Sequence, residues 1–308
     1  MGTPDFAVPG LKKLVSQKDI ELVLVITQED KPVGRKKTIT APPVKKIAQE
    51  LNLPILQPKK LKDDEVLQKI KETNPELIIV AAYGKIIPKS ILDLPKYGTL
   101  NIHASLLPKY RGASPIQNVI VNGEKETGIT IMLLDEEMDH GDVLTQEKIT
   151  ITDNETAGSL FEKLAPLGAE LLTKTLPDWI LGKIKLQPQN HDEATFTKIL
   201  TREDGKIDWN QDAKIIEQKV RGFSPWPGTW TNLNHKNQTL RLSIHEAKVI
   251  SDNSGKKPGT VFSTPDGFAV VCKKDALEIT VLQREGKQKM TAKEFIAGHQ
   301  DIIDSILF

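Results

Sequence analysis

Asn101, His103 and Asp139 are the side chains around which chemistry could be organised. In Gly98-Thr-Leu-Asn-Ile-His103 the polar pair Asn101 and His103 alternates with Leu100 and Ile102. That period predicts a strand carrying an amide and an imidazole on one face, and Pro108 and Gly112 break the chain just beyond it. Asp139 falls in the acidic stretch Asp135-Glu-Glu-Met-Asp-His-Gly-Asp142, between two alternating runs at 127–134 and 143–151. These read as two strands joined by a loop in which Gly141 permits a tight bend. An amide, an imidazole and a carboxylate suit acyl transfer. The imidazole moves a proton near neutral pH, the carboxylate orients it and stabilises its cation, and the amide donates to a developing oxyanion. Ser105 and Ser114 lie near, yet neither sits in a Gly-x-Ser-x-Gly elbow. Direct attack by a bound substrate group is therefore expected, without a covalent enzyme intermediate. A zinc site built from His103, Asp139, His140 and Asp142 is the chemical alternative, but no His-Glu-x-x-His pair puts two ligands on one face, so no metal is expected. For His103 alone a hydrogen-bonded core histidine is the plainer reading; its pairing with Asn101 ahead of a Pro/Gly-rich loop tips the balance.

Such a set needs a sheet whose strand ends converge, as they do at the carboxyl edge of open α/β sheets. Runs 21–26 and 76–82 are almost continuously apolar, as strands covered on both faces are, and 53–56 reads as a short strand. Helical patterns at 6–15, 43–51, 63–73 and 114–121 alternate with them, which predicts an α/β domain with a mostly parallel sheet. A long helix at 159–181 carries Leu160, Leu164, Leu167 and Leu171 on one stripe. The turn Tyr83-Gly84 ends strand 76–82 at the level of the Asn101/His103 turn, where Gly84 could let a flat ligand approach the backbone. The chain opens at a Gly-Thr-Pro turn, so a first strand expected ahead of that turn is absent from the sequence as it begins.

Overall charge does little to select a partner, since 42 basic and 41 acidic residues leave +1. Contact with nucleic acid would have to come from a local patch. One exists between Asp30 and Glu50, where Lys31, Arg35, Lys36, Lys37, Lys45 and Lys46 occur without an acidic residue and Pro32, Gly34, Pro42 and Pro43 keep the segment irregular. The single cysteine, Cys272, excludes an internal disulfide and fits a reducing compartment. No apolar run nears the ~20 residues that span a bilayer, and a cytoplasmic protein is expected. The polar stretch 184–205 reads as a linker between a domain at 1–183 and another at 206–308. After a helix at 211–220 and the aromatic turn Arg221-Gly-Phe-Ser-Pro-Trp-Pro-Gly228, five short β-type runs predict a small barrel of oligonucleotide-binding type.

The order and spacing of Asn101-Ile-His103, Ser105-Leu-Leu-Pro108-Lys-Tyr-Arg-Gly112 and Met138-Asp-His-Gly-Asp142 resemble the folate-dependent formyltransferase family. Gly2-Thr-Pro-Asp-Phe-Ala-Val-Pro9, Pro32-Val-Gly-Arg35 and Arg221-Gly-Phe-Ser-Pro-Trp-Pro227 extend the resemblance over essentially the whole chain. It implies a Rossmann-like formyltransferase domain followed by the barrel. It also implies that 10-formyltetrahydrofolate is the co-substrate and methionyl initiator tRNA the acceptor, in a bacterial, monomeric enzyme. By the same resemblance Asn101, His103 and Asp139 are catalytic. Tyr83, Gly84, Ser105, Leu106, Leu107 and Pro108 bracket the folate, and Arg35, Lys36 and Lys37 meet the acceptor end of the tRNA. The family's alternatives change only the acceptor, to an amino sugar or a glycinamide ribonucleotide, and the barrel and basic loop argue against the latter.

Overall fold

The computed structural model describes residues 1–34, 37–236 and 238–308. They divide into two compact units, one of residues 1–115, 126–150 and 161–198, the other of 116–125, 151–160 and 199–308.

In the first unit the strands are β1 (Val25–Ile26), β2 (Lys31–Val33), β3 (Thr38–Thr40), β4 (Ile55–Leu56), β5 (Ile78–Val80), β6 (Thr99–His103), β7 (Arg111–Gly112), β8 (Glu126–Leu133), β9 (Val143–Thr150) and β10 (Phe196–Thr197). β1 pairs with β4 and β5 with β6, both in parallel; β6 then pairs with β8 and β8 with β9, both antiparallel. Met1 and Gly2 tie these two groups together. Gly2 donates its N–H to Ile26 O, while Ala81 N–H donates to Met1 O, and the terminal amine donates to Ile79 O at 2.6 Å. Burial pushes that amine down to about 5. Residues 21–24, expected to be strand, form none; with Leu11, Leu14, Leu77 and Ile79 they line a cavity of about 130 Å³.

Helices α1 (Val8–Val15), α2 (Pro43–Glu50), α3 (Asp64–Glu72) and α4 (Lys89–Leu92) fall where the sequence pattern puts them, except α4, a single turn. Pro43 opens α2, where its missing N–H costs nothing. The segment read as an irregular basic loop is instead a hairpin, β2 pairing with β3. Short β-rich runs such as Lys31-Pro-Val33 lack the length to show as strands before pairing.

β6 is the strand that positions the chemistry. All five of its residues are buried. Ile102 lies beneath helices: Gly168 of α6 (Ala157–Ile180) sits so close that a Cβ there would come 2.6 Å from its side chain, and Gly10 of α1 also faces it. Strand alternation therefore turns Asn101 and His103 to the other face.

The second unit contains α7 (Ala213–Gly222), α8 (Ala292–Ala297), most of α5 (Pro115–Val121), and β11 (Thr229–His235), β12 (Gln238–Ile250), β13 (Val261–Thr264), β14 (Gly267–Val271), β15 (Ala276–Arg284) and β16 (Lys289–Thr291). The strands form one antiparallel sheet in the order β11-β12-β15-β14-β13, with β16 beside β15. A tail at residues 305–308 bridges its two edges, pairing Leu307 with Leu233 of β11 and Ile306 with Thr260 beside β13. The curled sheet encloses Leu242, Val261, Phe268, Leu277, Ile279 and Leu282, all fully buried, and α8 plugs it with Phe295 behind a Thr291/Glu294 capping box.

The stretch 184–205, read from sequence as a linker, is largely part of the first unit. Gln187 exchanges both backbone hydrogen bonds with Val143, and β10 runs parallel to β7. Its polar composition hid this, because its pairing partners lie far back in the chain.

Candidate active site

β5 and β6 run parallel in register, Val80 level with Asn101, so the turns after both strands emerge at the same edge. The first carries Tyr83 and Gly84; the second carries His103 to Pro108. The β8–β9 loop completes the arrangement by bringing Asp139 back to β6.

Asn101 Nδ2 donates to Asp139 Oδ1 at 3.4 Å, and His103 Nδ1 stands 3.6 Å from the same oxygen. The other carboxylate oxygen accepts the Gly112 N–H at 2.7 Å. The His103 and Asp139 side chains are only 6% and 13% exposed, so their attraction is weakly screened. His103 Nε2 lies 3.0 Å from Tyr110 O, an acceptor only, so Nε2 carries the hydrogen. Nδ1 is then the ring atom that is free to take or give a proton, and it is the one facing Asp139. Asp139 itself has φ +49, a left-handed backbone that aspartate tolerates better than most residues. Gly112 is needed where it stands: its φ is +103, and a Cβ would come 2.3 Å from Thr197 O.

The residues expected to bracket the folate behave differently from one another. Ser105 is fully buried and spends its hydroxyl on Lys109 O, so it shapes the turn. Leu106 and Pro108 are partly exposed, whereas Leu107 is buried with Met132 and Val143. Gly84 is exposed with φ +77. The Tyr83 ring points away into a core with Ile26, Ile70, Ile78 and Ile91, and burial pushes its hydroxyl up to about 12. Only its backbone serves the turn, with the carbonyl held by Thr3 Oγ1 and Gln28 Nε2. Lys37 is exposed next to the β2–β3 hairpin; Arg35 and Lys36 lie outside the described residues. Among the described residues no cluster of His, Cys, Asp and Glu could hold a metal ion.

Sequence reading missed Arg111 and Gln189. Both are buried, and they pair with each other beside Asp139. Arg111 belongs to the Tyr110-Arg-Gly112 run, but nothing local marks Gln189, which sits in the polar stretch 184–205.

Comparison with known proteins places the whole chain in one family. Residues 1–176 match the family Formyl transferase, and residues 199–300 match Formyl transferase, C-terminal domain. Fold and site together define a formyltransferase. Methionyl-tRNA formyltransferase of Caldanaerobacter subterraneus subsp. tengcongensis is 46% identical over 300 residues, 97% of this chain and 96% of that protein. The protein of the same name from Staphylococcus aureus RF122 is 41% identical over 305 residues, 98% of this chain and 96% of its own. The chain belongs to the methionyl-tRNA formyltransferase family. Solved structures with lower identity share the fold. An N-formyltransferase from Helicobacter canadensis, in complex with folinic acid and dTDP-3-aminofucose, superposes with TM-score 0.64 at 17% identity over 90% of this chain and 97% of that one. HypX from Aquifex aeolicus, bound to tetrahydrofolic acid, gives 0.58 at 20% identity over 83% of this chain, which spans 44% of HypX.

Proposed function

We propose that Asn101, His103 and Asp139 carry out transfer of the formyl group of 10-formyltetrahydrofolate to the free amine of methionyl initiator tRNA, the reaction that prepares that tRNA for translation initiation. The observation that carries this reading is the convergence of Asn101 Nδ2 and His103 Nδ1 on one Asp139 oxygen at a buried strand face. The amine nitrogen attacks the formyl carbon, whose carbonyl oxygen becomes an oxyanion. The second Asn101 N–H donates to that oxygen, and His103 adds to its stabilisation when protonated at Nδ1. As the intermediate collapses, the bond from carbon to the folate N10 breaks. The proton lost by the attacking amine is taken by His103 beside Asp139 and returned to N10 as it leaves, so that N10 departs as the amine.

The folate lies against the Gly84 turn and the 105–108 turn, contacted by backbone and by Leu106 and Pro108, with Ser105 and Leu107 holding the second turn's shape. Arg35, Lys36 and Lys37 meet the acceptor end of the tRNA, and the second unit contacts its body through phosphates. From residue 200 on there are 16 basic and 14 acidic residues, so that second contact is local and not a broad basic field. The catalytic part is assigned to residues 1–183 together with the segment up to 198 that carries Gln189, and the tRNA-binding part to 206–308. The enzyme works as a monomer in the cytoplasm. Among the described residues no helix is long and apolar enough to cross a membrane.

The test is transfer of labelled formyl from 10-formyltetrahydrofolate, with methionyl initiator tRNA, uncharged tRNA and an amino-sugar nucleotide as competing acceptors. Label in the charged tRNA alone supports the reading. Label in the sugar nucleotide would move the reaction to another acceptor.

A further inference from the structure

We propose that Gln189 is a positioning residue for the reaction, fixing the backbone of Asp139 and thereby the direction of its carboxylate. The inference rests on the reading of Asp139 as part of the catalytic set. Gln189 is 7% exposed, so its amide must find its partners within the protein. Its Nε2 donates to Asp139 O at 2.9 Å and to Gly141 O at 2.7 Å. Its Oε1 accepts from Arg111 Nε at 3.2 Å and from Arg111 Nη2 at 2.7 Å. Every hydrogen-bonding atom of the side chain is therefore in use.

The orientation of this amide is decided by its surroundings. A guanidinium offers donors only, and the two loop carbonyls are acceptors only. Turning the amide over would set N–H against N–H on one side and oxygen against two oxygens on the other. Arg111 is itself held in place: Nη2 also lies 2.8 Å from His191 Nδ1, and the His191 ring stacks on His140 at 4.0 Å between centroids. His140 in turn pairs with Asp135 at 2.6 Å. One closed network thus grips the Asp135–Asp142 loop.

That grip acts where the loop most needs it. Asp139 sits at φ +49, which is less favourable than the usual basins for any residue with a side chain. Gly141 packs so tightly that a Cβ there would come 2.0 Å from Leu133 O. Gln189 holds the carbonyls on either side of His140 from a strand-like segment anchored by Gln187 to Val143. With those two bonds removed, the Asp139 peptide is free to rotate to a commoner basin, and its carboxylate swings away from Asn101 and His103.

Gln189→Glu tests this directly, because the carboxylate keeps the acceptors for Arg111 while placing oxygen against the Asp139 and Gly141 carbonyls. The expected result is a kcat lower by about tenfold or more, with KM for both substrates within about twofold, since misplacing a reacting group costs rate more than binding. Gln189→Met, which fills the same space without donors, should behave the same way. A double variant, Gln189→Glu with Asp139→Asn, should be no slower than Asp139→Asn alone. Parental kcat in both Gln189 variants, or losses that multiply in the double variant, would overturn the inference. A role in stability alone would lower Tm while leaving kcat per folded molecule unchanged, and that too would overturn it. If Asp139→Asn by itself kept parental kcat, the catalytic reading would fall, a result separate from the behaviour of the Gln189 variants.

Discussion

Replacing Asp139 by asparagine removes one charge and almost no volume, so its consequences can be worked from the geometry. The carboxylate oxygen that faces His103 Nδ1 is 3.6 Å away. A unit charge there interacts with an imidazolium by about 5 kcal/mol at an effective dielectric of ~20, which corresponds to somewhat more than ~10³-fold in rate at the limit. Asparagine retains part of the arrangement. Its oxygen can still accept the Gly112 N–H, but its NH₂ then faces Asn101 Nδ2, donor against donor, and where it meets His103 Nδ1 it can donate only to the neutral ring and opposes the imidazolium. A loss of about 10²- to 10³-fold in the single-turnover transfer rate is expected at saturating folate and charged tRNA. Affinity for tetrahydrofolate, measured by calorimetry on the same preparation, should change by no more than about threefold, because Asp139 does not bind the folate in this account. A single-turnover rate within threefold of the parent would refute the reasoning, since no arrangement of asparagine in that pocket replaces the charge.

Gly112→Ala should lower stability by about 1–3 kcal/mol and transfer rate with it. The new Cβ meets Thr197 O at 2.3 Å, and the N–H that anchors Asp139 must move; denaturant unfolding with an unchanged midpoint would contradict this. Arg35→Ala should weaken use of the tRNA and flatten its salt dependence by about one counterion, with an unaltered slope removing that residue from the interface. Cys272 is buried and its thiol is pushed up to about 12 by burial, so at pH 8 it should resist a thiol reagent in the native chain and react promptly once unfolded. Rapid stoichiometric labelling of the native protein would show that the barrel core opens.

The part of the site that could be read from sequence is the part with local signals. Asn101 and His103 stand out because two polar residues interrupt an apolar strand period, and Asp139 because an acidic loop separates two alternating runs. The residues that support them could not be read this way. Gln189 reaches its partners across 48 to 78 residues of chain, within a stretch whose only local feature is polarity. Tyr83 falls at the turn after β5, but a turn tyrosine carries no sign of where its ring goes, and here the ring is in the core. In the fold, α1, α2 and α3 follow their periodicity closely, since each buries one face against a neighbouring element, while β6 is buried on both faces and keeps its alternation through the polar pair Asn101 and His103. Residues 21–24 do not become strand despite their apolar run, because backbone pairing, not hydropathy, makes a strand, and they border a cavity. The tail at 305–308 was equally silent: four residues that bridge two sheet edges have no period to detect.

The most direct test of the whole account is single-turnover transfer of formyl from 10-formyltetrahydrofolate to methionyl initiator tRNA by the parent chain and by His103→Ala, with folate and tRNA binding measured on both. Transfer to the charged tRNA by the parent is expected, and transfer slower by about a hundredfold or more in the variant with both affinities retained. Transfer at parental rate by His103→Ala would contradict the assignment of the chemistry to this strand face, and an inactive parent that binds both substrates would contradict the reaction itself.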